Sequence, residues 1–585
     1  AAAPVVPEEG RSRMTPDIEF VDVTFRYIDS TEPALRDVRL AIEPGEIVLL
    51  TGPSGAGKTT LCSCINGLVP QHHEGELSGT VRVRGYDASR SRIGGLASLV
   101  GMVFQDPESQ IVTATVADEV AFGAENLGVD PVEIEDRVRA ALAATRLDGY
   151  EDREPFHLSG GEQQATVIAA IHAMHPEIYV MDEPLANLDP VGRRQVLALL
   201  VDVARRRGKT LLIVEHALEE VLPLVDRVVV MDGGRIVRDG PVDAVLAQGD
   251  LPGVFRRPAL ARLAERLGLP TFPRTAEGFA EEVARGSVLA QGRAPAAPPA
   301  APRAPAPPVV TFEGVGYAYD GGHVALEDVD LEIGRGEFVA VLGRNGSGKT
   351  TLVRHVIGLL HPQRGRVEVL GLDVATTPTH ALARSVGFCF QNPNHQLVTF
   401  RVRDELLFGL RAHGVAPEEH DARIAESLEA VGLTSADGAE IFDLGKGQRQ
   451  RLALASVLTL RPEILVIDEP TTGQDPEMAA DIFGVIARLH ERGTTVLAIT
   501  HNLELAAAHA ARAIVVQRGR IAYDGDVRGL LADEGLMAAN SLDVPETTRL
   551  AERLAPYGVP PWLVREDDLA AALDAAAGAG GPRGR

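Results

Sequence analysis

The stretch "EIVLLTGPSGAGKTTL" at residues 46–61 returns almost unchanged as "EFVAVLGRNGSGKTTL" at residues 337–352. Each copy passes from an apolar segment into the pattern of a phosphate-binding loop, or P-loop, and then into a segment that opens a helix. Such a loop lets backbone N–H groups close around phosphates at the positive end of the helix dipole. The sequence therefore predicts two nucleotide-binding α/β domains in one chain.

A large internal repeat surrounds the two P-loops and keeps the same order in both copies. A repeat on this scale indicates two homologous domains, which we call the first domain (17–245) and the second domain (309–530). Three further motifs occur once in each copy: "VGMVFQDPESQIV" (100–112) and "VGFCFQNPNHQLV" (386–398), "IYVMDEP" (178–184) and "ILVIDEP" (464–470), "TLLIVEHALE" (210–219) and "TVLAITHNLE" (495–504).

A shorter repeat follows each domain. "LARLAERLGLP" at residues 260–270 resembles "TRLAERLAPYGVP" at residues 548–560, and both are amphipathic helical segments that end at proline. We therefore expect a first extension (246–290) and a second extension (531–575), both helical. Two packings are open for these helices, one on the domain that each follows and one in a contact between domains.

The residues between the two halves form a linker (291–308) rich in proline and alanine. This composition cannot form a core and is typical of an extended, semi-rigid spacer that reaches about 55 Å. The residues at both ends, 1–16 and 576–585, are predicted to be disordered tails.

The composition limits the classes of partner. The chain has 585 residues and a net charge of −25, which disfavours nucleic acid and anionic lipid as main partners. A basic patch on another protein suits this charge, and so does the alternative of an acidic surface that aids solubility. No apolar run approaches the roughly 18 residues of a membrane-spanning helix, and the first residues lack the apolar centre of a signal peptide.

The three cysteines, Cys62, Cys64 and Cys389, provide no disulfide framework, so we expect a cytosolic protein. Cys62 and Cys64 could form a thiol pair. Their spacing within an apolar helical segment favours plain packing instead.

The P-loops assign residues to the phosphates and to Mg²⁺. Lys58 and Lys349 are expected to reach the β- and γ-phosphates, and Thr59 and Thr350 are expected to bind Mg²⁺. The predicted nucleotide-binding residues of the two loops are Gly52, Ser54, Gly55, Gly57, Lys58, Thr59 and Thr60, and Gly343, Asn345, Gly346, Gly348, Lys349, Thr350 and Thr351.

Two adjacent acids end a buried strand in each domain. Asp182 and Asp468 can hold Mg²⁺, mostly through water. Glu183 and Glu469 are placed to polarise an attacking water. Such acids could merely cap the next helix, but beside a P-loop the catalytic interpretation is favoured.

The stretch "LSGGEQQ" (158–164) separates this chain from other P-loop proteins, because it resembles the signature of the ATP-binding cassette (ABC) superfamily. The resemblance covers residues 17–245 and 309–530. It implies a RecA-like α/β core with a helical subdomain in each domain. It also implies a head-to-tail pair of domains, in which each ATP lies between one P-loop and the partner domain's signature.

The same resemblance implies further roles. His216 and His501 match the histidine on the γ-phosphate, which we count with the glutamates as catalytic. Gln105 and Gln391 match a glutamine that contacts Mg²⁺ and water and senses a membrane partner. The other implied nucleotide contacts are Tyr27 and Tyr319 on adenine, Asp189 and Asp475 across the pair, and the signature residues Ser159, Gly160 and Gly161 and Gly445, Lys446 and Gly447.

The segments after the two glutamines, "FQDPESQIVTATVADEVAFG" and "FQNPNHQLVTFRVRDELLFG", look like those of energy-coupling factor transporters, bacterial importers of vitamins and trace metals. "TTGQD" (471–475) and the fusion of two domains also resemble this group. The resemblance implies a transmembrane coupling protein whose helices enter grooves beside these segments, and a separate small membrane protein that captures cargo. The acids Asp118, Glu119, Asp404 and Glu405 are candidates for the partner contact or for helix caps.

Two other classes compete with the importer. Ribosome-associated ABC factors also fuse two domains without a membrane span, but they typically join them by a long charged helix, unlike the linker here. DNA-repair ABC ATPases carry coiled-coil or zinc-bearing insertions. This sequence has neither a long heptad run nor a cysteine cluster.

Overall fold

The computed structural model describes residues 15–28, 30–104, 107, 109–158, 160–185, 188, 190–286, 288–289, 291–294, 306–319, 322–470, 476–540 and 542–578. The chain divides into two compact units, residues 1–186 with 193–256 and residues 187–192 with 257–585. Most of the two predicted tails and of the linker lies outside the described residues, so these predictions stay as they were.

The first domain contains two sheets, one of them a parallel sheet surrounded by helices. Its elements in chain order are β1 (Ile18–Tyr27), β2 (Leu35–Ile42), β3 (Ile47–Thr51), α1 (Lys58–Ile65), α2 (Leu68–Gln71), β4 (Gly75–Val83), β5 (Tyr86–Asp87), α3 (Ile93–Ala97), β6 (Val100–Val103), α4 (Val116–Asn126), α5 (Pro131–Thr145), a 3-10 turn (Pro155–His157), α6 (Gly160–Ala173), β7 (Ile178–Asp182), α7 (Pro190–Arg207), β8 (Thr210–Val214), α8 (Leu218–Val221), β9 (Arg227–Asp232), β10 (Arg235–Pro241) and α9 (Val242–Leu246).

The six-stranded sheet of the first domain has the order β10-β9-β3-β8-β7-β6, and all its neighbouring strands are parallel except the edge pair β9 and β10. Every residue of β3, β7 and β8 is buried. Helices cover both faces of such a sheet, which is why these strands read as continuous apolar runs. A four-stranded antiparallel sheet with the order β2-β1-β4-β5 completes the core.

Three helices, α4, α5 and α6, form the helical subdomain of the first domain. Their shared core includes Val120, Leu142 and Ala169, all nearly inaccessible to solvent. Local signals set the helix starts: the Thr115 hydroxyl accepts a hydrogen bond from the Asp118 N–H, and Asp130 caps α5 just before a proline at its first position.

The second unit begins with the helices of the first extension and continues through the second domain. Its elements in chain order are α10 (Ala259–Arg266), α11 (Ala276–Gly286), β11 (Pro308–Ala318), β12 (Val324–Gly334), β13 (Phe338–Leu342), α12 (Lys349–Val356), β14 (Arg364–Val369), β15 (Leu372–Asp373), α13 (Thr379–Leu382), β16 (Val386–Cys389), a 3-10 turn (Pro393–His395), α14 (Val402–Ala412), α15 (Pro417–Ala430), two 3-10 turns (Thr434–Ala436, Ile441–Asp443), α16 (Lys446–Leu458), β17 (Ile464–Asp468), α17 (Pro476–Glu491), β18 (Thr495–Ile499), α18 (Leu503–His509), β19 (Arg512–Gln517), β20 (Arg520–Asp526), α19 (Val527–Leu531), α20 (Glu534–Ala539), α21 (Glu546–Arg553) and α22 (Glu566–Gly578).

The second domain repeats the first one strand for strand. Its sheets have the orders β12-β11-β14-β15 and β16-β17-β18-β13-β19-β20, and α14, α15 and α16 form its helical subdomain. The prediction of two tandem α/β P-loop domains, each with a helical subdomain, is confirmed. Within the described residues, no helix is both long enough and apolar enough to cross a membrane.

The two extensions pack against each other. One apolar core joins Leu263 of α10 and Phe279 of α11 with Leu550 of α21 and Leu569 of α22, and each of these side chains is at most 1% exposed. We call α10, α11, α21 and α22 together the extension bundle. The helices of the two extensions therefore bury their apolar faces against each other, an arrangement that neither of the two packings left open by the sequence had described.

Candidate functional site

The predicted catalytic residues of each domain follow strands of the parallel sheet at their carboxyl ends. In the first domain the P-loop follows β3, Asp182 ends β7, and His216 lies two residues beyond β8. Since β3 pairs with β8 and β8 pairs with β7, all three segments meet at one edge of the sheet. This is the edge at which open parallel sheets bind their ligands.

The two P-loops have a backbone that glycine alone adopts without strain. Gly52 has φ 141°, and a Cβ there would lie 2.0 Å from the carbonyl oxygen of Met231. Gly55 has φ 80° and no atom within 4 Å of a would-be Cβ. Gly343 and Gly346 repeat both observations in the second domain. The first glycine of each pair is required by close packing, while the second borders open space that can receive a phosphate.

The P-loop lysines are held inside their own loops. Lys58 Nζ donates hydrogen bonds of 2.9 Å to the carbonyl oxygens of Gly52 and Pro53. Lys349 Nζ donates bonds of 2.8 Å to those of Gly343 and Arg344. Both ammonium groups therefore lie at the loop, where the sequence predicts phosphate.

The strand-end aspartates fit a divalent cation. Burial raises the pKa of Asp182 to about 6, although a hydrogen bond with Thr59 acts in the opposite direction. Within the described residues, Oδ2 of Asp182 is buried and has no hydrogen-bond partner. Asp468 repeats the arrangement with Thr350, and burial raises its pKa to about 6 as well. A carboxylate and a hydroxyl at the phosphate end of the sheet are the oxygen ligands that Mg²⁺ prefers.

The glutamate and the histidine of the first domain lie side by side. Nε2 of His216 is 3.3 Å from Oε1 of Glu183. Glu183 has φ 51°, in the left-handed region that a non-glycine residue rarely adopts. Backbone strain of this kind concentrates at functional sites. The geometry agrees with the predicted catalytic pair, and the roles of the two residues stay predictions.

The second domain holds its histidine with one more contact. Nε2 of His501 lies 2.7 Å from Oε1 of Glu469 and 3.1 Å from Oδ1 of Asn345, a residue of the P-loop. Glu469 has φ 48°, as its counterpart does. The first domain has Ser54 in place of Asn345, and Nε2 of His216 makes no hydrogen bond within the described residues. The two catalytic pairs are therefore supported differently.

Glu215 is a residue of the first site that sequence reasoning missed. Its side chain is 5% exposed, and its carboxylate accepts hydrogen bonds from the N–H groups of Leu185 at 2.9 Å and His216 at 3.2 Å. It thus joins the segment after Glu183 to the segment of the histidine. Burial raises the pKa of Glu215 to about 8. The aligned motifs contained the signal, because "IVEH" in the first domain stands against "AITH" in the second.

The tyrosines predicted to stack on adenine lie beside the P-loop helices. The hydroxyl of Tyr27 is 2.9 Å from Oγ1 of Thr60, and that of Tyr319 is 3.1 Å from Oγ1 of Thr351. Both rings are half-buried. This places them next to the nucleotide-binding loops, and their contact with adenine stays a prediction.

The signature segments open α6 and α16. In the second domain, Gly445 is the residue before α16, which begins with Lys446 and Gly447. The N–H of Gly445 donates a 3.0 Å hydrogen bond to the side chain of Gln448, and this bond caps the helix. In the first domain, Gly160 and Gly161 are the first residues of α6. Gln391 is described and exposed, whereas four predicted site residues lie outside the described residues: Gln105, Ser159, Asp189 and Asp475.

Each domain presents apolar side chains just after its glutamine. Glu119 is buried and accepts 2.9 Å hydrogen bonds from the N–H groups of Val112 and Thr113. Glu405 holds Val398 and Thr399 in the same way. Of the acids proposed for the partner contact, these two are therefore occupied in shaping the loop, and only Asp118 and Asp404 are exposed. The loops that they hold leave Val112 63% and Val398 64% exposed.

Comparisons with known proteins agree with this geometry. A family model described as "ABC transporter" matches residues 35–186 and 326–472. A protein of Methanosarcina acetivorans is 40% identical over 579 residues, which cover 96% of this chain and 94% of the relative. A protein of Caldanaerobacter subterraneus subsp. tengcongensis is 37% identical over 563 residues, which cover 91% of this chain and 95% of the relative. Both relatives are provisionally named ABC transporter ATP-binding proteins.

Two solved structures align with part of the chain. One is cbiO1 from Clostridium perfringens, part of the ABC transporter complex cbiONQ. It is 28% identical, the alignment covers 40% of this chain and 96% of that chain, and the TM-score is 0.37. The other is the ATP-binding cassette MJ0796 bound to ADP and Pi. It is 28% identical, the alignment covers 38% of this chain and 99% of that chain, and the TM-score is 0.35.

Proposed function

This chain belongs to the ABC transporter family, and from that premise we propose that it is the motor subunit of an energy-coupling factor importer for a vitamin or trace metal. The family membership makes the chain an ATPase whose domains bind ATP. The proposal adds the class of transporter. It is supported by the segments after Gln105 and Gln391, which resemble those of energy-coupling factor transporters.

The residues of the chain account for hydrolysis without a covalent intermediate. Lys58 and Lys349 bring positive charge to the phosphates, and Mg²⁺ held near Asp182 and Asp468 would supply further charge neutralisation. Glu183 and Glu469 orient and polarise the attacking water. The neighbouring histidines contact the γ-phosphate in this proposal, so each glutamate–histidine pair detects whether ATP is intact.

The observation that carries the transport proposal is an exposed apolar surface on each helical subdomain. In the second domain it includes Val398, Phe400, Phe408 and Phe442, which are 56–74% exposed. The rings of Phe400 and Phe442 lie 6.2 Å apart between centroids. Apolar side chains grouped on a protein surface mark an interaction site. This surface follows the glutamine that the family resemblance assigns to sensing a membrane partner.

We propose that this surface receives short helices of a transmembrane coupling protein. A separate small membrane protein captures the cargo in this arrangement, so the chain itself never binds it. ATP binding closes the domain pair, hydrolysis reopens it, and the motion passes through the coupling helices. The proposal places the chain at the cytoplasmic face of a bacterial membrane, with ATP and Mg²⁺ as cofactors and no nucleic acid as partner.

Fractionation of cells that express the full chain tests this proposal. We expect a membrane-bound pool that is lost when Val398 and Phe442 are both replaced by aspartate, with ATP binding by the purified variant unchanged. Leu372→Asp is the matched control, because Leu372 is also an exposed apolar residue of the second domain, at 43%, but lies on β15. The control is expected to keep its membrane pool.

The same fractionation addresses the alternative of a soluble, ribosome-associated ABC factor. Co-sedimentation with ribosomes and the absence of a membrane pool would overturn the importer proposal. Membrane binding that survives Val398→Asp and Phe442→Asp would show that the surface of the second domain is not needed for docking.

A further inference from the structure

The two extensions are far apart in sequence but share one apolar core in the structure. The first extension contributes Leu260, Leu263, Phe279 and Val283 to the core of the extension bundle, and the described core residues of the second extension are equally buried. About 270 residues of chain, including the linker and the whole second domain, separate the two contributions. The bundle is therefore a contact between distant segments rather than a local helical hairpin.

Neither extension can form this structure by itself. The bundle helices α10, α11, α21 and α22 have 8, 11, 8 and 13 residues. Isolated helices shorter than about 12–15 residues are marginal in water, and chains below about 40 residues rarely bury enough surface to fold alone. Each pair of helices therefore depends on the apolar face of the other pair.

Ion pairs cross the bundle in a repeated pattern. Two arginines of α10 pair with acids of α22. Nε of Arg262 donates a 2.6 Å hydrogen bond to Oε1 of Glu566, and Nε of Arg266 donates a 2.9 Å bond to Oδ1 of Asp574. On α21, Arg553 pairs with Glu277 of α11. Within the bundle, α10 thus pairs with α22, and α21 pairs with α11. Such a pattern fixes which segments combine, more than it adds stability.

The bundle is also joined to the second domain. Val564, just before α22, and Leu542, just before α21, pack in the same apolar core as Val515 and Leu530 of the second domain. The hydroxyl of Thr547 donates a 2.7 Å hydrogen bond to the carbonyl oxygen of Val564. The helices of the first extension are consequently held on the second domain, although their chain comes from the first.

Both ends of the linker are anchored within this same unit. At its start, the N–H of Gly292 donates a 3.0 Å hydrogen bond to the carbonyl oxygen of Pro556 in the second extension. At its end, the N–H of Arg335 donates a 3.0 Å bond to the carbonyl oxygen of Pro307. The linker therefore closes a loop between two parts of one unit, and the first domain joins that unit through the chain before α10.

We propose that the extension bundle is a permanent clasp that joins the two domains non-covalently and makes the linker dispensable as a tether. The clasp keeps the domains at high effective concentration whether or not nucleotide is bound. Opening after hydrolysis then changes the angle between domains rather than separating them. This inference concerns assembly of the chain and holds for any cargo or membrane partner.

Cutting the linker in the full chain tests the clasp. A recognition sequence for a site-specific protease replaces residues within 296–304, and the cut protein is run on size exclusion with light scattering, at about 1 µM in EDTA without nucleotide. We expect the two fragments to elute together at the 62.2 kDa of the intact chain. Separation of the cut wild-type fragments would overturn the proposal.

A matched pair of substitutions assigns the association to the bundle. Ala551→Asp places a charge in the core of the bundle, at 0% exposure, and Ala571→Asp makes the same change at an exposed position of α22. After cutting, we expect Ala551→Asp to separate, with association weakened at least about 100-fold, and Ala571→Asp to remain whole. Co-elution of cut Ala551→Asp, or separation of cut Ala571→Asp, would contradict the clasp.

Two further measurements guard against a folding artefact. Uncut Ala551→Asp is expected to bind ATP at both P-loops, which shows that its domains are folded. Arg262→Glu is expected to weaken the cut pair, and the charge-swapped double variant Arg262→Glu with Glu566→Arg to restore it. Failure of the charge swap to restore association would show that these ion pairs do not select the partner segment. Neither result depends on whether the chain drives an importer.

Discussion

The two domains have the same fold and differ where chemistry is expected. The first domain has Glu215 and Ser54 at the two positions where the second domain has Thr500 and Asn345. Asn345 contacts His501 directly, while Glu215 holds the backbone around His216. The first domain has the family-like signature "LSGGEQQ", and the second has "LGKGQRQ". The two domains therefore share one scaffold and differ in the residues around their predicted ATP sites.

The proposed head-to-tail pairing makes this divergence unequal in effect. In that arrangement the altered signature with Gly445 and Lys446 serves the site of Lys58, and the intact signature with Ser159 serves the site of Lys349. Both sites keep their lysine, glutamate and histidine, so both are expected to hydrolyse ATP. The second domain's site should carry most of the turnover.

The largest expected effect is on the catalytic glutamates. Removal of a general base typically costs about 10²–10⁴ in rate, so Glu469→Gln should lower steady-state ATP turnover about 100-fold, and Glu183→Gln less than tenfold. An equal loss of turnover in both variants would contradict the asymmetry between the two sites, unless hydrolysis is so tightly coupled that blocking one site also stops the other. Single-turnover measurements with the purified complex separate these cases, because they count the ATP that each site hydrolyses once.

The signature serine should give the next largest effect. Loss of a hydrogen bond to a charged group costs about 1.5–3 kcal/mol, or about 10–150-fold, so Ser159→Ala should lower turnover by at least about tenfold. Gly445→Ala should change it less than about twofold. Gly445 has φ −62°, and the nearest atom to an added Cβ is Oε1 of Gln448 at 3.8 Å, so alanine fits there. A large loss in Gly445→Ala would show that the altered signature needs its glycine.

The buried carboxyl group of Glu215 should make the stability of the first domain depend on pH. Its pKa is raised to about 8 by burial, from an ordinary value of 4.5. Between these values the folded state binds more protons than the unfolded state. Stability should therefore fall as pH rises from 5 to 8, by up to about 1.4 kcal/mol per pH unit.

Denaturant unfolding of the full chain at several pH values measures this slope. Glu215→Gln should flatten it, and the matched change Glu154→Gln, at an exposed position of the same domain, should leave it in place. An unchanged slope in Glu215→Gln would assign the pH dependence to other groups.

The smallest expected effect concerns the contact between Asn345 and His501. A neutral hydrogen bond contributes about 0.5–1.5 kcal/mol, so Asn345→Ser should lower single-turnover hydrolysis about threefold. The reciprocal change Ser54→Asn offers the first domain the same contact and should raise or preserve its rate. If Asn345→Ser has no effect, the difference between the two histidines is structural and not functional.

The sequence determined the parts of this protein that depend on neighbouring residues. A P-loop, a strand that ends in Asp182 and Glu183, and the spacing between repeated motifs are local patterns, and each predicts one arrangement because backbone geometry leaves few others. The repeat also predicted two domains and a helical extension after each. For the same reason, the places of Lys58, His216 and their counterparts beside the P-loops followed from the order of motifs alone.

Only the tertiary structure decided which distant segments meet. The amphipathic pattern of "LARLAERL" shows that one face of α10 is buried, but the same pattern suits any apolar surface, and α21 and α22 supply it from about 290 residues away. The sequence presents Glu119 and Glu405 as exposed acids at a helix start. In the structure, their carboxylates accept hydrogen bonds from backbone N–H groups of the loop 6 and 7 residues earlier. Glu215 and Asn345 gained their roles in the same way. Periodicity tells which side chains leave water, whereas their partners depend on how the whole chain closes its core.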